Sequence, residues 1–236
     1  MNFAVISAGK GERLKQEGME IPKPLIKVNG QTLIERLLKT AEYVKADTFS
    51  IILNSSLKET ADDLHHKDYP FDVNVIVEDT AGSMESLNEL KPFLLNEPTL
   101  LTTIDTIFDP LEFKDFVNYA ETKIKEDGLW GITNYVDDEK PLYVKVESGE
   151  NEIIEFSDSK DDHEYVTGGI YYFKPEIFKV LDICKQKNLK RMRDFQREIL
   201  KIGLNIRAFR FKKIIDIDHR SDIKIAEEFT KKHDIV

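Results

Sequence analysis

The first half of the chain alternates short apolar runs with segments of helical periodicity, and this alternation restricts the fold more than any other feature. The predicted elements, in order, are strand 2–7, helix 33–44, strand 49–53, helix 57–66, strand 73–77, helix 84–94, strand 99–104 and helix 110–125. Short apolar runs bounded by turn residues are typical of buried strands. Regular alternation of strands with helices predicts parallel βαβ units, and therefore an α/β fold with a three-layer α/β/α sandwich around a Rossmann-like sheet.

The second half of the chain has a different pattern. Its strand-like segments are joined by acidic, polar turns rather than by long helices, and they lie at 129–136, 142–147, 152–156 and 165–173. The remaining predicted elements are helices at 175–186 and 194–202, two strands within 205–217 and a last helix at 221–232. No stretch rich in Gly, Pro or Ser separates the halves. We therefore predict a single domain over residues 1–236, with an α/β half (1–127) and a mixed-sheet half (128–236) that includes the C-terminal helix.

Charge and cysteine content exclude several classes of protein. The 236 residues carry 34 Lys and Arg against 44 Asp and Glu, a formal net charge of −10, which disfavours general nucleic-acid binding. A phosphate-rich ligand would need a local basic site in such a chain. The single cysteine, Cys184, cannot form an internal disulfide and is expected in the core. With neither an apolar run of about 18 residues nor a signal-peptide pattern, we predict a cytoplasmic protein without membrane contact.

The stretch SAGKGERL, which follows the first strand, is the strongest local signal. A P-loop requires GxxxxGK followed by Ser or Thr, and neither this spacing nor this hydroxyl is present. The dinucleotide fingerprint GxGxxG matches at Gly9 and Gly11, but Leu14 stands at the third glycine position. We also expect the loop to continue for about ten residues rather than to open directly into a helix, which further disfavours the fingerprint.

A third interpretation of this loop accounts for all of its residues. Two glycines at a strand end allow backbone N–H groups to approach an anion closely. Arg13 adds a planar, permanently charged fork for phosphate oxygens, and Lys23 adds a compact positive charge. Pro22 and Pro24 restrict the backbone on either side of Lys23 and should orient its side chain. The loop is therefore predicted to bind phosphate groups.

SAGKGERL, followed by PKPLIKVNGQTLIERLL, resembles the signature of the nucleotidyltransferases that make nucleotide sugars. Ser7 replaces an alanine of that signature, and Thr32 stands where proline is common. Thr32 with Glu35 also forms a capping-box pattern at the start of a helix. The resemblance implies a GT-A-like nucleotide-diphospho-sugar transferase fold. It also implies that Ala8, Gly9 and Gly11 bind the triphosphate and that Arg13 and Lys23 are catalytic.

Aspartates near strand ends are the candidate ligands for the Mg²⁺ ion that phosphoryl-type transfer requires. Asp105 ends the apolar strand TLLTTI, and ligands of open α/β sheets bind at the carboxyl ends of strands. The late segment IIDIDHRSDIKIAEEF resembles the family motif that supplies a second carboxylate. Asp216 and Asp218 are both candidates, because they would point the same way if one strand continued through both. Asp109, before Pro110, is expected to cap a helix instead.

The resemblance also suggests residues that contact the nucleotide and the acceptor. EDTAGSMESL is similar to a stretch that the family places beside base and ribose, which assigns Thr80, Gly82 and Ser83 to the nucleotide-binding half, 1–127. VTGGIYYF and IIEFSDSK are similar to two acceptor-side motifs, which assigns Gly169 and Asp158 to the acceptor-binding half, 128–236.

The expected function is that of an Mg²⁺-dependent sugar-1-phosphate nucleotidyltransferase. It would join a nucleoside triphosphate to a sugar-1-phosphate or another phosphate monoester and release pyrophosphate. A cytidylyltransferase acting on phosphocholine or another alcohol phosphate, a glycosyltransferase using Asp216 and Asp218, and a catalytically silent regulatory homologue are the alternatives. The sequence indicates neither the nucleobase nor the oligomeric state.

Overall fold

The computed structural model of the protein describes residues 1–136 and 138–232, so residues 233–236 of the predicted domain lie outside the described residues. The strands are β1 (Asn2–Ser7), β2 (Lys27–Val28), β3 (Gln31–Thr32), β4 (Thr48–Leu53), β5 (Asp72–Val77), β6 (Thr99–Thr103), β7 (Thr106–Phe108), β8 (Gly128–Thr133), β9 (Tyr143–Val146), β10 (Ile153–Ser157), β11 (Tyr165–Phe173), β12 (Ile206–Arg210) and β13 (Ile214–Asp216). The α-helices are α1 (Glu12–Gln16), α2 (Leu33–Tyr43), α3 (Lys58–His66), α4 (Ser83–Leu90), α5 (Pro110–Thr122), α6 (Lys179–Gln186), α7 (Met192–Lys201) and α8 (Arg220–Thr230). Short 3-10 helices lie at Lys23–Leu25, Ser55–Leu57, Lys91–Phe93 and Pro175–Phe178.

Within the described residues, nine of these strands form one mixed sheet. β1 lies inside it and pairs in parallel with β4 on one side and with β6 on the other, and β5 extends the parallel part beyond β4. On the other side, β11 pairs antiparallel with β6, β8 antiparallel with β11, and β12 in parallel with β8. The hairpin of β9 and β10 joins the sheet through the start of β11. The predicted parallel units and the later mixed strands thus share one sheet.

Helices cover both faces of this sheet. In β1, Phe3 and Val5 belong to one buried cluster and Ala4 and Ile6 to another, because successive side chains of a strand point to opposite faces. Side chains of α2, α3, α5 and α8 pack in the first cluster, and those of α4, α6 and α7 pack in the second. The predicted three-layer α/β/α sandwich is confirmed. Cys184 is buried in the second cluster, as expected.

Two predicted helix caps are confirmed. The Thr32 hydroxyl accepts a hydrogen bond from the Glu35 N–H at 3.2 Å, and the Glu35 carboxylate accepts one from the Thr32 N–H at 2.9 Å. This reciprocal pair is the capping box of α2. At the start of α5, the Asp109 carboxylate accepts a hydrogen bond from the Leu111 N–H at 2.8 Å.

The segment after β1 corrects one expectation. A loop of about ten residues was predicted, but α1 begins at Glu12, directly after Gly11. Leu14, at the third glycine position of the dinucleotide fingerprint, is only 1% exposed and packs in the first cluster. A buried leucine cannot provide the close helix–strand contact that this glycine permits. The fingerprint is therefore excluded by Leu14 and not by the length of the loop.

Two small strand pairings were not predicted from the sequence. β2 and β3 form a short hairpin, and β7 pairs antiparallel with β13, which places Asp216 opposite Thr106. β13 ends at Asp216, so the expectation that one strand continues through Asp216 and Asp218 is wrong. Strands of two or three residues are too short to show an alternating pattern in the sequence.

Candidate active site

A cleft of about 620 Å³ lies beyond the carboxyl ends of β1 and β6. The two strand ends are adjacent, since the Ile104 N–H donates a hydrogen bond to the Ile6 carbonyl at 3.1 Å. Three groups of predicted site residues line the cleft. The first is Ala8, Gly9, Gly11 and Arg13, in the glycine loop and α1. The second is Thr80, Gly82 and Ser83, before and at the start of α4, and the third is Lys23, Asp105 and Asp218. Residues from five separate segments of sequence therefore meet at the edge where open α/β sheets bind ligands.

The glycine loop leaves room for a ligand and for Lys23. Gly11 has a φ of 61°, in the left-handed region that favours glycine, and caps the start of α1. A Cβ atom at Gly11 would lie 3.4 Å from Cγ of Lys23, whereas one at Gly9 would meet nothing within 4 Å. Gly9 thus faces open space in the cleft, and Gly11 provides the turn that brings α1 beside Lys23.

Arg13 and Lys23 both contact the carboxylate of Asp218. The Arg13 Nη1 atom lies 2.5 Å from Asp218 Oδ2, and the Lys23 Nζ atom lies 2.7 Å from Asp218 Oδ1. Lys23 also reaches Asp105, with 2.5 Å between Nζ and Oδ2. The two candidate catalytic cations and two of the candidate metal ligands therefore form one connected cluster.

Burial and charge have opposite effects in this cluster. Burial alone would lower the pKa of Lys23, but the carboxylates of Asp105 and Asp218 outweigh it, so the pKa of Lys23 is raised. Burial would raise the pKa of Asp105, and the Lys23 ammonium outweighs that effect and lowers it. Lys23 is therefore a cation and Asp105 an anion at neutral pH.

Asp216 has a different environment from Asp218. Its Oδ1 atom accepts a hydrogen bond from the Thr106 hydroxyl at 3.0 Å, and Thr106 in turn contacts the Thr103 hydroxyl at 2.6 Å. Burial, and then the negative charge of Asp105, raise the pKa of Asp216 well above its usual value. Asp218 follows the end of β13, and its N–H donates to the Asp222 carboxylate at 3.0 Å. The pairing of β13 with β7 places Asp216, and Asp218 follows two residues after the end of β13, so strand alternation does not bring the two aspartates together.

The start of α4 forms another wall of the cleft. Gly82 is the N-cap of the helix, and the hydroxyls of Thr80 and Ser86 lie 2.6 Å apart. The first N–H groups of a helix lack intrahelical partners and favour anions. Thr80, Gly82 and Ser83 thus line the cleft, and their contact with a nucleotide stays a prediction.

A second cleft, of about 490 Å³, adjoins the first and shares Gly82, Ser83, Asp105 and Asp218 with it. Of the predicted site residues, Asp216 and Gly169 line the second cleft but not the first. Gly169 has a φ of 68°, and a Cβ atom there would lie 2.7 Å from Oγ1 of Thr106. Glycine is therefore required both by the backbone and by its neighbour. We call this space the acceptor-side cleft.

Asp158 reaches this cleft through other residues. It forms ion pairs with Arg193 and with Arg197, the latter at 2.8 Å between Oδ2 and Nη2. Arg193 lines the acceptor-side cleft. Burial raises the pKa of Asp158, but hydrogen bonds from Arg197 and Arg193 outweigh it and lower the pKa.

The sequence matches the nucleotidyl transferase family over residues 4–213, which includes the glycine loop, both candidate catalytic cations and Asp105. The chain belongs to the nucleotidyl transferase family. Among curated relatives, it is 23% identical to the bifunctional protein GlmU of Thermodesulfovibrio yellowstonii over 98% of this chain and 52% of that protein. It is also 23% identical to GlmU of Methanocaldococcus jannaschii over 85% of this chain and 47% of that protein. This nucleotidyl transferase chain thus spans about half the length of these relatives.

Solved structures support the same fold for this nucleotidyl transferase. The inositol-1-phosphate CTP transferase from T. maritima superposes with a TM-score of 0.82 at 18% identity and covers 98% of this chain and 95% of its own. A UDP-glucose pyrophosphorylase complexed with UDP-glucose gives a TM-score of 0.79 at 17% identity, with 98% of both chains covered. Among residues 1–136 and 138–232, no helix combines the length and the apolar character needed to cross a membrane.

Most residues that line the acceptor-side cleft of this nucleotidyl transferase were not predicted from the sequence. Gln196 is 3% exposed, accepts a hydrogen bond from Trp130 Nε1 at 3.2 Å and donates to the Tyr171 hydroxyl at 3.4 Å. Gln196, Tyr171 and Arg193 line the acceptor-side cleft. The sequence did offer one signal, a glutamine on the buried side of a helical pattern, because a buried polar side chain needs hydrogen-bond partners.

Proposed function

We propose that this chain is a sugar-1-phosphate nucleotidyltransferase, which joins a nucleoside triphosphate to a sugar-1-phosphate and releases pyrophosphate to give a nucleotide sugar. The observation that carries the proposal is the position of Lys23 Nζ, 2.5 Å from Asp105 and 2.7 Å from Asp218, in a cleft that also holds the glycine loop. A cation held between two carboxylates beside a glycine-rich loop suits phosphate chemistry.

The triphosphate is proposed to lie in the cleft of about 620 Å³. Backbone N–H groups of Ala8, Gly9 and Gly11 would contact its phosphate oxygens. Thr80, Gly82 and Ser83, at the start of α4, would contact the base or ribose side of the nucleotide. The open space beside Gly9 supports this placement, since it lets backbone approach the ligand without a side chain between them.

The reaction is a displacement at the α-phosphorus. An oxygen of the acceptor phosphate forms a bond to the α-phosphorus, and the bond from this phosphorus to the oxygen bridging to the β-phosphorus breaks. That oxygen leaves with the electron pair as part of pyrophosphate. Arg13 and Lys23 would stabilise the negative charge that develops on the phosphate oxygens, which is the main contribution a protein makes to such a transfer.

Asp105, Asp216 and Asp218 are proposed to hold Mg²⁺. Asp216 is half-buried beside Asp105. Burial and then the negative charge of Asp105 raise the pKa of Asp216, so a divalent cation at this point would relieve an unfavourable arrangement. Carboxylate oxygens are also the protein ligands that Mg²⁺ prefers. Bound there, Mg²⁺ supplies positive charge that gathers and polarises phosphate oxygens. Thr106, which donates to Asp216, would orient that carboxylate.

The two clefts support the proposal that a single domain, residues 1–236, binds the nucleotide with one half and the acceptor with the other. The cleft of about 620 Å³ is lined mainly by residues of 1–127, and the acceptor-side cleft adds Gly169 and Asp216 from 128–236. An alcohol phosphate is the second candidate acceptor, because an inositol-1-phosphate CTP transferase shares this fold. A cytoplasmic location without nucleic-acid or membrane partners stays a prediction from the sequence.

Pyrophosphate release tests the proposal. The protein would be incubated with Mg²⁺, each nucleoside triphosphate in turn and a panel of sugar-1-phosphates and alcohol phosphates. The proposal expects release that requires both substrates and that is lost in Arg13→Ala and Asp105→Asn. Lys15→Ala, an exposed position on α1, is the matched control for Arg13. Nucleotide binding without release from any pair would favour a silent homologue.

A further inference from the structure

The start of α8 lies against the end of α1, and Glu17 joins the two elements. One oxygen of its carboxylate, Oε2, accepts a hydrogen bond from the Arg220 N–H at 2.8 Å. The other, Oε1, lies 2.6 Å from the Nδ1 atom of His219. In return, Nη1 of Arg220 donates a hydrogen bond to the Glu17 carbonyl at 3.2 Å. These contacts connect positions that are 202 and 203 residues apart in the sequence.

Glu17 and Arg220 cap each other's helices. The first N–H groups and the last carbonyls of an α-helix have no partner within the helix. The Glu17 carboxylate accepts the N–H of the first residue of α8, at the positive end of that helix dipole. The Arg220 side chain donates to the carbonyl of the residue that ends α1. Hydrogen bonds from the Arg220 N–H and then from His219 lower the pKa of Glu17, so its carboxylate is ionised at neutral pH. We call these contacts the Glu17–Arg220 cap.

The position of α1 depends on contacts of this kind. The helix has five residues, and its one buried residue is Leu14. Isolated helices shorter than about 12 residues are marginal in water, so tertiary contacts must hold α1 in place. Arg13 and Glu17 are four positions apart and therefore lie on the same side of the helix. Arg13 contacts Asp218, and Glu17 contacts the two residues that follow it, so this side of α1 is docked on segment 218–220.

Other charged groups hold segment 218–220 but do not join it to α1. The Asp222 Oδ2 atom accepts hydrogen bonds from the N–H of Asp218 at 3.0 Å and from the N–H of His219 at 2.6 Å. The Oε1 atom of Glu139 lies 3.8 Å from Nε2 of His219. Asp222 therefore orders the segment internally, whereas Glu17 fixes it relative to the helix that carries Arg13.

Building on the proposed function, we infer that Glu17 is a positioning residue that holds the Arg13 guanidinium in register with Asp218 for triphosphate binding. Glu17 is not among the residues that line the cleft of about 620 Å³, whereas Arg13 and Asp218 both are. Its effect therefore passes through Arg13 and not through contact with the ligand. The Arg13 side chain is 43% exposed, so without the cap it gains freedom that a bound triphosphate has to remove again.

Calorimetric titration measures this effect without turnover. Inorganic tripolyphosphate, as a probe without a base, and the α,β-methylene analogues of ATP, CTP, GTP and UTP would each be titrated with Mg²⁺ into the full chain. Arg13→Ala should weaken tripolyphosphate binding about 10- to 100-fold, the loss expected for charged hydrogen bonds. Glu17→Ala should weaken it about threefold to tenfold, the cost of ordering a side chain that the cap no longer holds. In the Arg13→Ala protein, Glu17→Ala should add less than about twofold, because the two changes act through the same group.

The sign of the change separates orientation from charge. Removing a negative charge near an anion site should by itself strengthen anion binding, so weaker binding in Glu17→Ala indicates lost orientation. Glu20→Ala removes the same charge from an exposed position three residues further on and is the matched control. It should not weaken tripolyphosphate binding. Glu17→Gln keeps an oxygen that can accept the Arg220 N–H, so its loss should be smaller than that of Glu17→Ala.

Several outcomes would overturn the inference. These are unchanged or tighter tripolyphosphate binding in Glu17→Ala, an equal loss in Glu20→Ala, a full additional loss from Glu17→Ala in the Arg13→Ala protein, and binding of none of the probes. If the probes bind in the expected pattern but no pair of substrates releases pyrophosphate, the proposed function fails and the role of Glu17 stands. If pyrophosphate is released but Glu17→Ala binds tripolyphosphate normally, only the role of Glu17 fails.

Discussion

Lys23 and Asp105, 82 positions apart in the sequence, form an ion pair with 2.5 Å between Nζ and Oδ2. Lys23 begins the short 3-10 helix that follows α1, and Asp105 lies just beyond β6 at the adjacent strand end. The fold thus places a cation from one segment against a carboxylate from another, at the edge of the sheet where ligands bind.

Replacing Lys23 should remove most of the activity. Lys23→Met deletes the charge proposed to stabilise the phosphate oxygens and leaves Asp105 and Asp218 without their shared cation. We expect kcat/KM to fall by about 10²- to 10³-fold, the effect of losing one preorganised charge-stabilising donor. Steady-state kinetics would measure it, with the exposed Lys27→Met in β2 as the control. Unchanged kcat/KM in Lys23→Met would refute the proposed role.

Gly169→Ala should destabilise the protein more than Gly149→Ala does. Both glycines have positive φ, 68° and 88°, so alanine meets a similar backbone cost at each. Only at Gly169 would the new Cβ atom lie 2.7 Å from the Thr106 hydroxyl, while at Gly149 it would meet nothing within 4 Å. We expect an additional loss of about 1–3 kcal/mol in the free energy of unfolding for Gly169→Ala. Urea denaturation of both variants checks this, and equal losses would contradict the contact.

Thr32→Ala should cost stability without affecting catalysis. The Thr32 hydroxyl accepts the Glu35 N–H at 3.2 Å in the capping box of α2, remote from the reacting groups. The loss of this cap is expected to lower the free energy of unfolding by about 1 kcal/mol. Thr32→Ser keeps the hydroxyl and should retain most of the stability. A Thr32→Ala protein with normal stability but altered kcat would show that α2 has a different role.

The same capping box should make stability depend on pH. Hydrogen bonds from the N–H and hydroxyl of Thr32 lower the pKa of Glu35 in the folded protein. The folded pKa therefore lies below the unfolded value of about 4.3, and the stabilisation is present above that value and lost as the pH falls through the folded pKa. The destabilisation caused by Glu35→Gln should shrink between about pH 7 and about pH 3. Denaturation curves at a series of pH values would show this, and a pH-independent difference would contradict it.

The sequence predicted the elements with strong, regular patterns. The four parallel strands, the caps at Thr32 and Asp109 and the burial of Cys184 all follow from local signals of periodicity and side-chain chemistry. Asp105 could be placed at the site because it ends an apolar strand in a parallel sheet. These features depend on residues close together in the chain, so one sequence is sufficient to predict them.

The features that the sequence did not predict depend on long-range pairing. β7 and β13 have three residues each, and only their pairing brings Asp216 opposite Thr106. The ion pairs of Asp158 with Arg193 and Arg197 depend on the packing of α7 against β10, which no local pattern encodes. The helix α1 was missed because five residues with one buried apolar side chain, Leu14, show no periodicity.

The most direct test of the account follows the α-phosphate. A nucleoside triphosphate labelled at its α-phosphorus would be incubated with the protein, Mg²⁺ and the acceptor that gives pyrophosphate release. The account predicts that the label moves into a product joined to the acceptor, in an amount equal to the pyrophosphate formed, and that Lys23→Met slows this transfer about 10²- to 10³-fold. Label that remains in the triphosphate, or that appears only in a nucleoside monophosphate made without acceptor, would contradict it.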